Sequence, residues 1–173
     1  LVADYIVVNL SSPNTPGLRE LQGAEASARL LEILKQEQAK LAELHGRQVP
    51  LVFKVAPELD DNHIRDLSRV FLEGGLDGLI ATNTTLDREA VKGHLHAEQA
   101  GGLSGKPLMD KSTKVLSAFA SHLGGKIPLI GVGGISHVED AKAKLDAGAS
   151  LVQLYTSFIY QGPRLVRRIA RQL

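Results

Sequence analysis

The 173-residue sequence contains no cysteine and no tryptophan. The absence of cysteine excludes disulfide bonds, thiolate metal sites and a cysteine that acts as nucleophile or base. Lysine and arginine, 20 in total, nearly balance the 19 aspartates and glutamates, which leaves a formal net charge of +1 at pH 7. A chain so close to neutral has no field of one sign to attract nucleic acid or an anionic membrane. We therefore expect no nucleic-acid partner, and any anionic ligand must be held by local contacts.

Long hydrophobic runs are also missing. No apolar stretch approaches the roughly 20 residues that a membrane-spanning helix needs. The opening LVADYIVVNL carries an aspartate and lacks a basic flank, so we expect no signal peptide. Hydrophobic residues still make up 43% of the chain and charged residues 23%, which is typical of a folded globular domain.

Short apolar segments alternate with amphipathic ones along the whole chain. Runs rich in Val, Ile and Leu predict buried parallel strands at 5–10, 51–56, 78–84, 128–134 and 151–156. Apolar residues at helical spacing predict helices at 24–45, 61–73, 110–123, 137–146 and 163–173. Asp60 and Ser136 are predicted N-caps of two of these helices. The order is five βα units, which predicts an α/β fold with a parallel sheet.

Polar or small residues end every predicted strand, for example Asn9, Lys54 and Thr82. A (β/α)8 TIM barrel collects its site from the ends of many strands, whereas a doubly wound sheet binds at one crevice, so the pattern favours the barrel. GVGG and LYT end the last two strands, where barrels often bind phosphate. If these are strands seven and eight, residues 1–173 are the C-terminal five βα units, and about three units should precede them.

Each polar feature also has an interpretation without a ligand. Lys54 interrupts an apolar strand, and a buried ammonium is costly unless it meets an anion, so either a ligand or a structural ion pair must neutralise it. TNTT at 82–85 can be a hydrogen-bonded strand end, and GVGGIS can be only a tight turn. His94 and His96 form an H-x-H pair without a third ligand, and we expect no metal site.

The basic amphipathic segment at 163–173 is compatible with a membrane surface. Packing against the wall of the barrel is the interpretation that we favour for it.

The sequence resembles dihydroorotate dehydrogenases of the membrane-associated, quinone-using class in six motifs, which occur in the same order as in that family. These motifs are NLSSPNTPGLRELQ, KVAPEL, IATNTTLDR, AGGLSGKPL, IGVGGI and GASLVQLYT. The resemblance implies an FMN-binding barrel that oxidises dihydroorotate to orotate in pyrimidine biosynthesis and passes the electrons to ubiquinone or menaquinone. It also implies a peripheral location on the cytoplasmic face of the bacterial inner membrane, through a segment that would precede residue 1.

The same resemblance implies roles for individual residues. Ser12 matches the catalytic base, and the substrate is expected to contact Asn9, Ser12, Asn14, Asn83 and Thr84. FMN is expected to contact Asn9, Lys54, Thr82, Gly105, Gly134, Tyr155 and Thr156. The segment 15–22 matches a mobile lid over the substrate. The soluble classes of the family have cysteine where Ser12 stands, and this chain has no cysteine, so serine indicates the quinone class.

Three other functions stay open on the sequence alone. Another FMN barrel, such as a dihydropyrimidine dehydrogenase or a dihydrouridine reductase, shares the same architecture, although the latter should carry a basic RNA-binding surface. A sugar-phosphate isomerase should use carboxylates or histidines at strand ends, where this chain has Asn, Ser and Thr. The third alternative is a half-barrel that binds phosphate without catalysis.

Overall fold

A computed structural model of the protein describes residues 2–173. It contains one parallel sheet whose five strands lie side by side in the order in which they occur along the chain. The strands are β1 (Ile6–Asn9), β2 (Leu51–Val55), β3 (Gly78–Ala81), β4 (Leu129–Val132) and β5 (Leu151–Gln153). The predicted α/β class and all five predicted strands are confirmed, although each strand is shorter than its apolar run.

Six α-helices follow the strands. They are α1 (Ala24–His45), α2 (Asp61–Glu73), α3 (Met109–Leu123), α4 (Val138–Asp146), α5 (Thr156–Gln161) and α6 (Pro163–Gln172). Both ends of α1 and α2 match the predicted ranges, because glycines or a capping aspartate flank the amphipathic pattern there. A 3₁₀ turn at Leu18–Gln22 precedes α1.

The two faces of the sheet are covered differently. Phe53, Leu79 and Leu129 lie in one register row and belong to the main core with Phe71 of α2 and Phe119 of α3. The opposite face carries a smaller cluster made only of strand residues, Val52, Ile80, Ile130 and Val132. A doubly wound sheet has helices on both faces, whereas a barrel has them only outside. The sequential strand order and the one-sided helices are those of a barrel segment.

One of the two predicted N-caps is correct. Asp60 accepts a hydrogen bond from the backbone N–H of His63 at 2.9 Å and caps α2. At α4 the N-cap is His137, so the prediction of Ser136 was wrong by one residue. The reason is Asp140, whose carboxylate reaches back to accept from the N–H groups of Ser136 and His137. Burial would raise the pKa of Asp140, but these amides and the Lys106 ammonium hold it well below its usual range.

The fifth predicted strand, 151–156, is only three residues long in the structure. Gly133 follows β4 with a φ of +111°, so β4 stops at Val132 and offers β5 no partner beyond Gln153. Tyr155 and Thr156 therefore leave the sheet, and Thr156 begins α5, a helix that the sequence analysis missed.

Helix α6 packs on the helix side of the sheet. Leu165 and Ile169 are buried against Val138 and Ala141 of α4, which confirms the predicted packing of this segment on the wall of the fold. In the part of the chain that the structure describes, no helix combines the length and the apolar character needed to cross a bilayer.

Asp77 joins three elements at the amino-terminal edge of the sheet. Its carboxylate accepts from the backbone N–H of Leu51 at 2.9 Å, from Gln38 Nε2 at 2.7 Å and from Lys35 Nζ at 3.2 Å. Burial opposes the charged form, but these three donors outweigh it, and the pKa of Asp77 lies below its ordinary value of 3.8. The start of β2 and the helix α1 are thus fixed by one carboxylate.

The two outer strands generate a first prediction. Among residues 2–173, β1 pairs only with β2 and β5 only with β4, and Val7 and Leu151 are exposed on them. Unpaired strand edges with apolar side chains favour pairing between chains. Residues 1–173 expressed alone should therefore self-associate in light scattering, and the double variant Val7→Lys/Leu151→Lys should do so less. A monomeric wild-type fragment at micromolar concentration would contradict the open-edged arrangement.

The carboxylate of Asp77 generates a second prediction. Asp77→Ala should lower the free energy of unfolding by about 1–3 kcal/mol, because it leaves the donors from Gln38 and Leu51 without their acceptor. Asp77→Asn, which keeps one acceptor oxygen, should lose less, and the weakly paired Asp66→Ala is the control. Because the folded-state pKa is depressed, this contribution should be present at neutral pH and be lost as the pH falls below about 3.8. Urea denaturation at several pH values measures both effects, and equal losses for Asp66→Ala and Asp77→Ala would rule out the assigned role.

Candidate active site

A cleft opens at the carboxyl edge of the sheet. Apolar side chains of Leu108, Val132 and Leu154 form part of its lining. Eight of the residues predicted for the site also line it: Lys54, Thr82, Asn83, Thr84, Gly105, Gly134, Tyr155 and Thr156. The structure thus brings together residues from four strand ends and from the loop before α3.

Beside the cleft, three side chains form a hydrogen-bonded group that we call the amide cluster: Asn9, Ser11 and Asn83. Asn83 Nδ2 donates to Asn9 Oδ1 at 3.0 Å and to Ser11 Oγ at 3.1 Å. Ser11 Oγ donates to the carbonyl of Lys54 at 2.8 Å and lies 3.1 Å from Asn9 Oδ1. These bonds fix the Asn9 oxygen toward the cluster, so its NH₂ group, which donates to no residue in the range 2–173, remains available to a ligand.

Ser12 and Asn14 lie outside the cleft, in the loop after β1. Ser12 is half-buried, and its Oγ accepts from the backbone N–H of Asn14 at 3.3 Å, while Asn14 itself is exposed. The neighbouring Ser11 is fully buried and committed to the amide cluster. Of the two serine hydroxyls, only that of Ser12 keeps free hydrogen-bonding capacity.

Lys54 is on the inner face of β2, in register with Asn9 on β1 and Ile80 on β3. Burial lowers the pKa of Lys54 from its ordinary value, because a desolvated ammonium is disfavoured. Between residues 2 and 173 no carboxylate forms an ion pair with it, and its Nζ makes no hydrogen bond. An acid partner is therefore absent from the described chain, and an anionic group in the cleft would stabilise the charged form.

At the opposite side of the cleft the chain approaches itself closely at two glycines. Gly133 and Gly134 have φ values of +111° and +83°, which favour glycine. A Cβ at Gly134 would lie 2.5 Å from the Met109 Cα, and one at Gly133 would lie 2.7 Å from Ser112 Oγ. The amides of Gly134 and Thr156 donate to no other residue in the described chain. Two N–H groups are thus free to hold an anion there.

The loop between β3 and α3 is tied at its base. Thr85 and Leu103 exchange two backbone hydrogen bonds, of 3.1 and 2.8 Å. A Cβ at Gly102 would lie 1.8 Å from Thr84 Oγ1, so the returning chain packs directly against a predicted substrate contact. His94 and His96 are in this loop, and no group of three His, Asp or Glu side chains suited to a metal ion occurs among residues 2–173.

Arg19 contacts Ser11 and Thr84 beside the candidate site, and the sequence analysis did not identify it. It lies in the predicted lid, donates to the carbonyls of Ser11 and Thr84 at 3.3 Å, and pairs with Glu58 at 2.8 Å. Glu58 Oε1 in turn accepts from the Thr85 hydroxyl. A charged residue in a polar loop is normally expected to be solvated, so nothing in the sequence distinguished Arg19 from its neighbours.

Comparison with known proteins agrees with the resemblance. The family model described as dihydroorotate dehydrogenase matches residues 1–173. Relatives named dihydroorotate dehydrogenase (quinone) include one from Akkermansia muciniphila, 64% identical over 96% of this chain and 48% of its own length. Another, from Psychromonas ingrahamii, is 56% identical over 99% of this chain and 51% of its own.

Solved structures agree as well. The crystal structure of DHODH from Eimeria tenella in complex with ferulenol superposes with a TM-score of 0.91 at 41% identity, over 98% of this chain and 48% of that one. The chain therefore spans about half the length of the relatives that it matches. Because the family model matches residues 1–173, the chain belongs to the dihydroorotate dehydrogenase family.

Proposed function

We propose that residues 1–173 form the C-terminal part of one FMN-binding TIM-barrel domain in a quinone-dependent dihydroorotate dehydrogenase. The reaction is the oxidation of dihydroorotate to orotate in pyrimidine biosynthesis, in which two electrons and two protons leave the substrate and a quinone becomes a quinol. The observation that carries the proposal is the convergence of the unpaired Lys54, the amide cluster and the Gly134 loop at one edge of the sheet.

The residues of the cleft fit FMN by their chemistry. The free amides of Gly134 and Thr156 suit its phosphate, and the apolar side chains that line the cleft suit a flat ring. Lys54 and Thr82 would hold the pyrimidine end, Asn9 would lie near the ring, and Gly105 and Tyr155 would contact the ribityl phosphate through their backbones. The exposed ring of Tyr155, at 75%, is consistent with a contact made by its main chain. When bound, FMN supplies the hydride acceptor.

Substrate binding is assigned to the polar residues beside that cleft. Asn9 presents its free NH₂ group, and Asn14 and Thr84 add donors and acceptors that suit the amide and carboxylate groups of dihydroorotate. Asn83 donates both protons of its NH₂ group within the amide cluster, so its contact with the substrate would be made by its side-chain oxygen. Asn83 Oδ1 already accepts from the backbone N–H of Thr84 at 2.8 Å, which fixes the orientation of its side chain before substrate arrives.

Ser12 is the proposed catalytic base. Its Oγ would take the proton from the substrate ring while the hydride leaves, and Ser11 cannot do so because its hydroxyl is buried in the amide cluster. A hydroxyl is a poor base at neutral pH, so a threonine or a water must carry the proton onward. The 15–22 lid would exclude bulk water, and Arg19 holds it against Ser11 and Thr84.

We assign the quinone and membrane contacts to a segment that would precede these residues, as the resemblance to the quinone-using class implies. Ubiquinone or menaquinone is the proposed acceptor, and the proposed location is peripheral, on the cytoplasmic face of the bacterial inner membrane. Reduction of the flavin by dihydroorotate, and not by dihydrouracil or dihydrouridine, separates this function from those of other FMN barrels. A protein that binds phosphate but no flavin would be the non-catalytic alternative.

Removal of the Lys54 charge should make bound FMN harder to reduce. In the complete enzyme, Lys54→Met should lower the flavin reduction potential, because the negative charge added on reduction loses its neighbouring ammonium while the oxidised ring loses less. Lys126→Met, an exposed lysine at the other edge of the sheet, is the control. Redox titration measures the effect, and an unchanged potential would assign Lys54 to a structural ion pair.

Removal of the Ser12 hydroxyl should slow the chemical step. Ser12→Ala should reduce the rate at which dihydroorotate bleaches the flavin by ~10²- to 10⁴-fold, the usual loss for a positioned general base, and spare reoxidation by quinone. Ser12→Cys should keep part of the activity with a lower apparent pKa, since a thiol ionises more readily. Stopped-flow absorbance across pH measures both, and bleaching of Ser12→Ala within a few-fold of wild type would exclude this base.

A further inference from the structure

A buried chain of polar groups runs behind the Gly133–Gly134 loop and has no part in the function proposed above. Lys144, on α4, is completely buried. Its Nζ donates to Ser112 Oγ on α3 at 2.6 Å, and Ser112 Oγ donates to the carbonyl of Gly133 at 3.1 Å. Two helices thus converge on one peptide group of the loop.

The neighbours of Ser112 determine which group accepts its hydroxyl proton. A serine hydroxyl has one proton, and an ammonium can only donate, so Ser112 Oγ accepts from Lys144 and gives its own proton to a carbonyl. Two carbonyls are within reach, those of Met109 and Gly133, each at 3.1 Å. The Met109 carbonyl already accepts from Thr113 Oγ1 at 2.7 Å. Gly133 is therefore the acceptor that depends on Ser112.

Holding the Gly133 carbonyl fixes the orientation of the next amide. In a trans peptide the C=O and the following N–H point in opposite directions. Since the Gly133 oxygen is turned toward Ser112, the N–H of Gly134 is turned away from α3, on the side of the cleft that Gly134 lines. That N–H donates to no other residue in the described part of the chain.

We propose that Lys144 and Ser112 are positioning residues, which hold the Gly133–Gly134 peptide so that its N–H binds the phosphate of the flavin cofactor. The inference rests on the proposed function and extends it to two residues that lie behind the site. Neither side chain touches the cofactor, and both act through the peptide.

The charge of Lys144 adds to this arrangement. Burial lowers its pKa to about 8, while the nearby carboxylates of Asp140 and Asp110 oppose that shift, so the ammonium form predominates at neutral pH. A cation at the head of a hydrogen-bond chain polarises each following group in the same sense. The Gly134 N–H at the end of the chain becomes a stronger donor to an anion, and the low dielectric around Lys144 limits screening of the charge.

A purely structural role for Lys144 and Ser112 would give a different experimental result. A lysine that only filled space between α3 and α4 would support the whole cleft, and its loss would weaken every flavin alike. A phosphate-positioning role affects only ligands that carry phosphate. Riboflavin, which has the ring and ribityl chain of FMN without the phosphate, separates the two roles.

The test compares FMN and riboflavin binding to the complete enzyme after its flavin has been removed, by fluorescence titration. Ser112→Ala and Lys144→Met should each raise the Kd for FMN about tenfold, the usual effect of a hydrogen bond to a charged group. The Kd for riboflavin should change less than about twofold. Thr113→Ala, which also loses a bond to Met109 but does not reach Gly133, and the exposed Lys142→Met are matched controls that should change neither Kd.

Each outcome decides between the roles. An equal increase in the Kd values for FMN and riboflavin, or no increase in either, would overturn the inference. If Lys144→Met does not fold, Ser112→Ala decides alone, since it removes one atom. A wild-type protein that binds neither flavin would instead refute the proposed function, and the inference with it.

Discussion

Parallel pairing of the five strands places all their carboxyl ends on one edge of the sheet. Each helix returns the chain to the opposite edge, so Asn9, Lys54 and Thr82 arrive together although more than 70 residues separate the first from the last. The backbone hydrogen bonds between parallel strands bring these strand ends together, and the side chains adjust only the local geometry. Asp77 works at the other edge, where it sets the start of β2 without contact with the cleft. Stability and ligand binding are therefore concentrated at opposite ends of the same strands.

Sequence patterns predicted the parts of the fold that depend on local structure. The bounds of α1 and α2 follow from flanking caps and glycines, and the strand order follows from the βα alternation. The end of β5 could not be predicted, because it depends on the left-handed turn of Gly133 in the adjacent strand. The prediction of Ser136 as the N-cap of α4 failed because the sequence did not show that the Asp140 carboxylate accepts from the N–H of His137. Both errors concern the ends of elements, where a contact outside the regular apolar pattern decides the boundary.

The candidate site was also predicted only in part from the sequence. Eight predicted residues line one cleft, and the resemblance distinguished Ser12 from Ser11, but no local pattern indicated that Ser11 is buried in the amide cluster. Lys54 and Lys144 differ in how readily the sequence reveals them. Lys54 interrupts an apolar strand and stands out, whereas Lys144 falls in a polar helix sequence, VEDAKAKLD, whose buried side is apparent only once α3 packs against it.

The paired backbone bonds of Thr85 and Leu103 isolate the loop that they close from the cleft beside it. The entropy of closing such a loop grows only logarithmically with its length, so doubling the number of residues between the two ends would cost only about 0.6 kcal/mol. Thr84 and Gly105, which flank this base, would keep their places. Gly101 and Gly102 approach Asn14 and Thr84, so the segment 86–100 is where chains of this architecture can gain or lose residues without displacing the candidate site.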